Sequence, residues 1–164
     1  MKDFDDLFIS NIEFSKNFVS NGQTGFANRG LAIVTCIDSR IAPLAIVGMQ
    51  PGDAKIMRNA GARVTEDVLR TLVLATALLG VDRILVMPHT DCRMASGSEE
   101  EIHQAILEKT GIDSRAIEIR TVKDQISALK LDIQRIKSSP HLPDGISVLG
   151  AIYDVNSGVL NKIE

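Results

Sequence analysis

Two short segments of this chain carry residues with the chemistry to hold a metal ion. One is Cys36-Ile37-Asp38-Ser39-Arg40; the other is His89-Thr90-Asp91-Cys92. Two thiolates and one imidazole, from Cys36, Cys92 and His89, are a soft donor set that favours zinc. Three protein ligands leave a fourth tetrahedral position free, the arrangement of catalytic rather than structural zinc. A closed site would need a second histidine, and His103 (within a predicted helix) and His141 (in a proline-flanked loop) are both badly placed for that. Asp38, two residues beyond Cys36, can reach the metal or turn toward Arg40, whose planar fork grips a carboxylate through two bonds. Each piece alone has a plainer reading. A buried cysteine often serves as a small hydrophobe, and a loop Asp–Arg pair at the surface is worth about 0–1 kcal/mol. Found together, each after an apolar run and each followed by polar residues, they point to a divalent cation in a crevice.

The elements that must position these residues follow from apolar runs. Leu31 to Ile37, Ala54 to Met57 and Arg83 to Pro88 are continuously apolar rather than alternating, which marks strands buried on both faces, as in a parallel sheet. Cys36 and His89 then fall at the carboxyl ends of two such strands, where ligand sites form in open α/β sheets. Helical patterns lie between and after the runs: a short one from Pro43 to Gly48, then Thr65 to Leu79, Glu99 to Lys109 and Thr121 to Lys137. Thr65 followed by Glu66 and Asp67 reads as a cap with first-turn acids, and Gly80 as the stop. Arg63, Glu66 and Asp67 read as helix-start charges rather than catalytic groups. Residues 146–155, a turn at Asn156-Ser157-Gly158 and residues 159–163 read as a terminal hairpin. An N-terminal amphipathic helix over about residues 2–21 carries Leu7, Ile9, Ile12, Phe14, Phe18 and Val19. The expected fold is α/β, a mostly parallel central sheet with flanking helices and an antiparallel edge strand near the C-terminus, in one domain over 1–164.

Composition narrows the function. The 164 residues carry a net charge of −3, which argues against nucleic acid or an anionic membrane as a partner. The longest apolar stretch, Leu72 to Val81, is half of the roughly 20 residues a membrane span needs. The acidic N-terminal segment lacks the basic and apolar regions of a signal peptide, so the expected compartment is the cytoplasm, where two cysteines serve as thiols or ligands rather than a disulfide. No glycine-rich phosphate-binding motif follows any strand, which removes a nucleotide-binding module.

The sequence resembles the β-class carbonic anhydrases, and the small bacterial members in particular. Cys36 to Arg40 matches their C-x-D-x-R motif, His89 to Cys92 their H-x-x-C motif, and Arg58-Asn59-Ala60-Gly61 the R-N-A-G loop bordering their pocket. The three occur in the family's order, and the match spans roughly Gly30 to Val155. The resemblance implies one Zn2+ per chain on Cys36, His89 and Cys92, and reversible hydration of carbon dioxide to bicarbonate and a proton. It implies that zinc lowers the pKa of water toward about 7, that Asp38, paired with Arg40, orients the attacking oxygen, and that Asp38 can become the fourth ligand in a closed state. Asn59, Ala60 and Gly61 would line the substrate pocket, although the plainer reading of Gly61 is a turn that needs glycine. The N-terminal helix would pack on a partner subunit, giving a homodimer or a dimer of dimers. Arg93 stands where the family usually has glycine after the second cysteine, which bears on substrate more than on metal. The same ligand set serves hydrolases of carbonyl sulfide or carbon disulfide, so that activity is the alternative; a non-catalytic zinc-binding regulatory protein is the alternative of another class.

Overall fold

The apolar run beginning at Leu31 becomes the middle of a sheet. In this computed structural model, which describes residues 3–20 and 22–164, β1 (Leu31–Cys36) is buried along its whole length. It lies between β2 (Ala54–Asn59) and β3 (Arg83–Met87) and runs parallel to both. β4 (Ser147–Tyr153) adds parallel to β3, and β5 (Leu160–Ile163) closes that side antiparallel to β4, giving the order β2-β1-β3-β4-β5. The α/β class, the mostly parallel sheet and the antiparallel edge agree with expectation.

Continuous apolarity in β1 and β3 is needed because both faces of the sheet are covered. Ala32, Val34, Ile84 and Val86 meet Val68, Leu72 and Ala75 of α3 (Glu66–Leu78) and Leu129 and Ile136 of α5 (Gln125–Lys137). Leu31, Ile33, Leu85 and Met87 point the other way, toward Ile41, Met49 and Leu44 of the short α2 (Pro43–Ile46). The spacing of Val68, Leu72 and Ala75 puts one stripe of α3 on the sheet. Leu72 is wholly buried there, worth about 1.5–3 kcal/mol relative to an exposed position. The Thr65 side chain accepts from the Val68 N–H, capping α3 as its sequence predicts.

Three details matter for the site. Sequence periodicity predicts a helix from Thr121, but α5 begins at Gln125, because the Asp124 carboxylate accepts from the N–H groups of Ile126 and Ser127 and so sets the first turn there. Gly150 of β4 lies tight against α5: a Cβ at this position would lie 2.5 Å from Ile133 Cδ1 and 3.0 Å from Leu129 Cγ. α4 (Glu99–Thr110) starts in a reciprocal Ser98–Glu101 capping box and ends at a left-handed Gly111.

α1 (Asp5–Lys16) is shorter than the predicted 2–21, whose end residues 2 and 21 lie outside the described residues. It buries none of its side chains: Leu7, Phe8, Ile9, Ile12 and Phe14 are all exposed. Among the described residues no helix is long and apolar enough to cross a membrane.

Candidate metal centre

Because β1 and β3 are hydrogen-bonded neighbours, with Thr35 opposite Met87, the residues that follow their carboxyl ends emerge side by side. Cys36 is the last residue of β1. His89 follows β3 by two residues and bridges to Tyr153 of β4. Cys92 comes one turn later. The candidate ligand atoms of Cys36, His89 and Cys92 all lie within 4.8 Å of one another, and all three residues are buried. Both cysteines are free thiols.

The imidazole is oriented as a ligand. His89 Nδ1 is 2.8 Å from the Thr90 carbonyl, which can only accept, so Nδ1 carries the proton and Nε2 presents a lone pair. Nε2 is the one buried side-chain nitrogen or oxygen without a hydrogen-bond partner among the described residues. A buried acceptor left unpaired costs about 1–3 kcal/mol, and a cation between the sulfurs and this nitrogen removes that cost. Fixing one ring nitrogen on a carbonyl so that the other faces the metal is the usual support of a histidine ligand. The donors present therefore fit zinc.

Gly61 donates its backbone N–H to Cys36 Sγ over 3.4 Å. Gly61 has φ 80°, a conformation that favours glycine, and sits in a tight turn (Ala60–Ala62) directly after β2. Burial pushes the Cys92 thiol up to about 11, helped by neighbouring Cys36, while the Met94 N–H works the other way. A cation would reverse that burden by favouring the thiolate.

Asp38 stands at the edge of this cluster. Its Oδ2 is 3.8 Å from His89 Nε2. Arg40 donates Nε to Oδ1 over 3.0 Å, Nη2 to Oδ2 over 2.8 Å and its backbone N–H to Oδ1 over 2.9 Å. Those hydrogen bonds hold the Asp38 carboxyl far below the usual carboxylate range. Arg58 fixes the loop itself, donating to the carbonyls of Cys36 (2.8 Å) and Asp38 (2.6 Å).

Comparison with known proteins meets the same motifs. The family model for carbonic anhydrase matches residues 31–113, half of the chain. β-Carbonic anhydrase 1 of Mycobacterium tuberculosis is 31% identical over 160 residues, covering 97% of this chain and 96% of that one. This chain belongs to the β-carbonic anhydrase family. The crystal structure of a carbonic anhydrase from Streptococcus mutans superimposes with a TM-score of 0.91 at 33% identity, over 100% of this chain and 99% of the other. A relative from Acidianus sp., 30% identical over 82% of this chain and 78% of its own, bears the name carbon disulfide hydrolase. Carbonic anhydrases are lyases that hydrate carbon dioxide, and the β-family depends on zinc.

The other residues singled out in the sequence have the following surroundings, and Arg63 differs from expectation. Asn59 closes the turn after β2 by bonding both backbone groups of Arg63, Oδ1 to its N–H at 2.8 Å and Nδ2 to its carbonyl at 2.6 Å. Glu66 and Asp67 occupy the first turn of α3 as predicted, but Arg63 turns instead to Asp132 on α5, 2.7 Å away, and Asp132 is only 6% exposed. Arg93 is exposed. His103 binds Ser114 Oγ at 2.8 Å and His141 is exposed, both outside the cluster.

Three residues near the site carry no sequence motif of their own. Asp91 accepts from Arg40 Nη1 over 2.7 Å. Gln125, at the start of α5, donates to the His89 carbonyl over 2.8 Å. Asp132 lies seven positions further along the same helix and anchors Arg63. A buried acid within the apolar stripe of Leu129, Ile133 and Ile136 was the one visible signal among them.

Proposed function

We propose that this chain catalyses the reversible hydration of carbon dioxide to bicarbonate and a proton, with one Zn2+ held by Cys36, His89 and Cys92. The observation that carries the reading is the convergence of those three ligand atoms within 4.8 Å, with an arginine-paired carboxylate 3.8 Å from the imidazole nitrogen. When bound, zinc supplies a Lewis acid that brings the pKa of water into the neutral range. Asp38, kept ionised by Arg40, accepts a hydrogen bond from the attacking oxygen and turns its free lone pair toward the substrate carbon. Arg40 holds that carboxylate away from the ligand set; without the pairing, Asp38 is free to become the fourth ligand and close the site. Asn59, Ala60 and Gly61 form the pocket wall beside Cys36, shaped by the Asn59–Arg63 clamp. One C–O bond forms, and the proton released leaves to solvent.

A second reading is hydrolysis of carbon disulfide or carbonyl sulfide at the same site, favoured by the Acidianus relative. Zinc content, stopped-flow hydration of carbon dioxide and turnover of both sulfur compounds, measured on one preparation, separate the two. Asp38→Ala is expected to retain zinc and lose most turnover. Full activity in that variant removes Asp38 from the mechanism.

We read residues 1–164 as one domain of this type and its compartment as the cytoplasm. The exposed apolar residues of α1, none of them buried against the chain's own sheet, support a homodimer or a dimer of dimers. Light scattering on the eluting protein tests this, and a monomer counts against it. Phe8→Asp with Ile12→Asp is expected to lower the assembled mass.

A further inference from the structure

Arg40 uses only one edge of its guanidinium on Asp38. Its Nη1 donates to Asp91 Oδ2 over 2.7 Å, and Nη2, besides meeting Asp38, donates to the Asp91 carbonyl over 3.1 Å. Asp91 stands between His89 and Cys92, with its backbone in the left-handed region at φ 54°. The short loop that supplies two of the three candidate ligands therefore also grips the cation that retains Asp38. The Asp38 carboxylate is meanwhile 3.8 Å from His89 Nε2, close enough that a modest change of side-chain rotamer separates its place on Arg40 from a place at the ligand set.

We infer that Asp91 is a positioning residue: by anchoring the far edge of Arg40 it keeps the near edge facing Asp38, and so keeps Asp38 off the Cys36–His89–Cys92 centre. This deepens the proposed function and rests on it. A guanidinium is planar and rigid, so fixing Nη1 and Nη2 on one loop sets the direction of the Nε–Nη2 edge as well. With the Asp91 carboxylate gone, Arg40 keeps Asp38 and the Asp91 backbone carbonyl but loses the charged partner that fixes Nη1. Both Arg40 and Asp91 are well exposed, with side chains 45% and 74% accessible, so their ion pair adds little to folding stability. The consequence belongs in the site.

Asp91→Asn tests this cleanly. Asn tolerates the left-handed backbone as readily as Asp, so the substitution removes charge and leaves the loop. The variants Asp91→Asn, Asp91→Glu, Asp38→Asn and the Asp38→Asn/Asp91→Asn double are prepared with zinc and, separately, with cobalt. Asp91→Asn is expected to bind a full equivalent of metal and to melt with the unmutated protein. Its kcat for carbon dioxide hydration should fall about ten- to a hundredfold with KM little changed, as for a misplaced catalytic group. Asp91→Glu should recover much of that loss, and the double variant should be no slower than Asp38→Asn alone. In the cobalt protein the visible absorption of Asp91→Asn should shift as Asp38 enters the coordination sphere, and the double variant should lack the shift. A wild-type kcat and spectrum for Asp91→Asn, losses that multiply in the double variant, or no recovery with Asp91→Glu each overturn the inference. Absence of zinc binding or hydration in the unmutated protein defeats the underlying reading itself, and that failure is visible before any variant is measured.

Discussion

Gly61 presents its backbone N–H to the sulfur of Cys36 at 3.4 Å, from a turn in which a side chain would be crowded. Its φ is 80°, and a Cβ there would lie 3.1 Å from Met94 Cβ, two residues beyond Cys92. One small residue thus fits the turn between the Cys36 sulfur and the Met94 side chain. Gly61→Ala is expected to cost about 1–3 kcal/mol from the left-handed backbone. It should also displace Met94 and weaken metal binding. Thermal unfolding with and without zinc, together with competition against a chromogenic chelator, measures both losses. Unchanged zinc affinity would show that the turn is only a connector.

Removing a ligand has a different signature from straining the turn. Cys36→Ala and Cys92→Ala each delete one donor of three, and two protein donors rarely retain zinc through purification. Zinc measured by plasma emission is expected to fall from one equivalent per chain to a trace, and turnover with it. Both cysteines are buried beside Ile41 and Met87, so replacement by alanine loses a single sulfur's packing and the fold persists, as circular dichroism can verify. Stoichiometric zinc in either variant would refute the assignment.

Metal uptake should also depend on pH with a definite sign. In the metal-free protein burial raises the Cys92 thiol from 9.0 to about 11, so at neutral pH it is protonated. Zinc takes the thiolate, so binding must release that proton, and apparent affinity should rise with pH through the neutral range. The metal-free fold behaves oppositely. Between pH 9 and about 11 the unfolded thiol has lost its proton and the folded one has kept it, so stability present below pH 9 declines as pH rises. Calorimetric titration in buffers of different ionisation enthalpy counts the protons, and urea unfolding of the metal-free protein across that window checks the second trend. A pH-independent zinc affinity would mean that Cys92 is already a thiolate.

How far the site was legible depended on the kind of residue. The buried runs at Leu31 and Arg83 gave away β1 and β3, and once those strands are parallel neighbours the meeting of Cys36 with His89 is geometry. Asp38 and Arg40 sit two residues apart, so their pairing could be read locally. Asp91 could not: its importance lies in facing Arg40 from 51 positions away, and in sequence it is one more acid in a polar loop. Gln125 was hidden because the helical pattern ran on to Thr121, and only the Asp124 cap puts Gln125 in the first turn, under the His89 carbonyl. Arg63 preceding a helix resembled a helix-start charge because its partner is on a different helix, 69 positions away.

That Arg63–Asp132 pair yields the sharpest stability prediction. The Asp132 side chain is 6% exposed and Arg63 20%, so the ions are largely removed from water and depend on each other. Arg63→Ala leaves the carboxylate buried without its cation, a change that costs roughly 3–5 kcal/mol, whereas replacing both partners with apolar residues can be close to neutral. Arg63→Met combined with Asp132→Leu is therefore expected to melt well above Arg63→Ala. The two designs should separate stability from function. Because Asn59 bonds the Arg63 backbone rather than its side chain, the double variant keeps the turn beside Cys36. It should then retain zinc and most turnover while the single variant loses stability first. If Arg63→Ala unfolds no more readily than the wild type, the pair is ornamental and α5 is held by Gly150 and its apolar stripe alone.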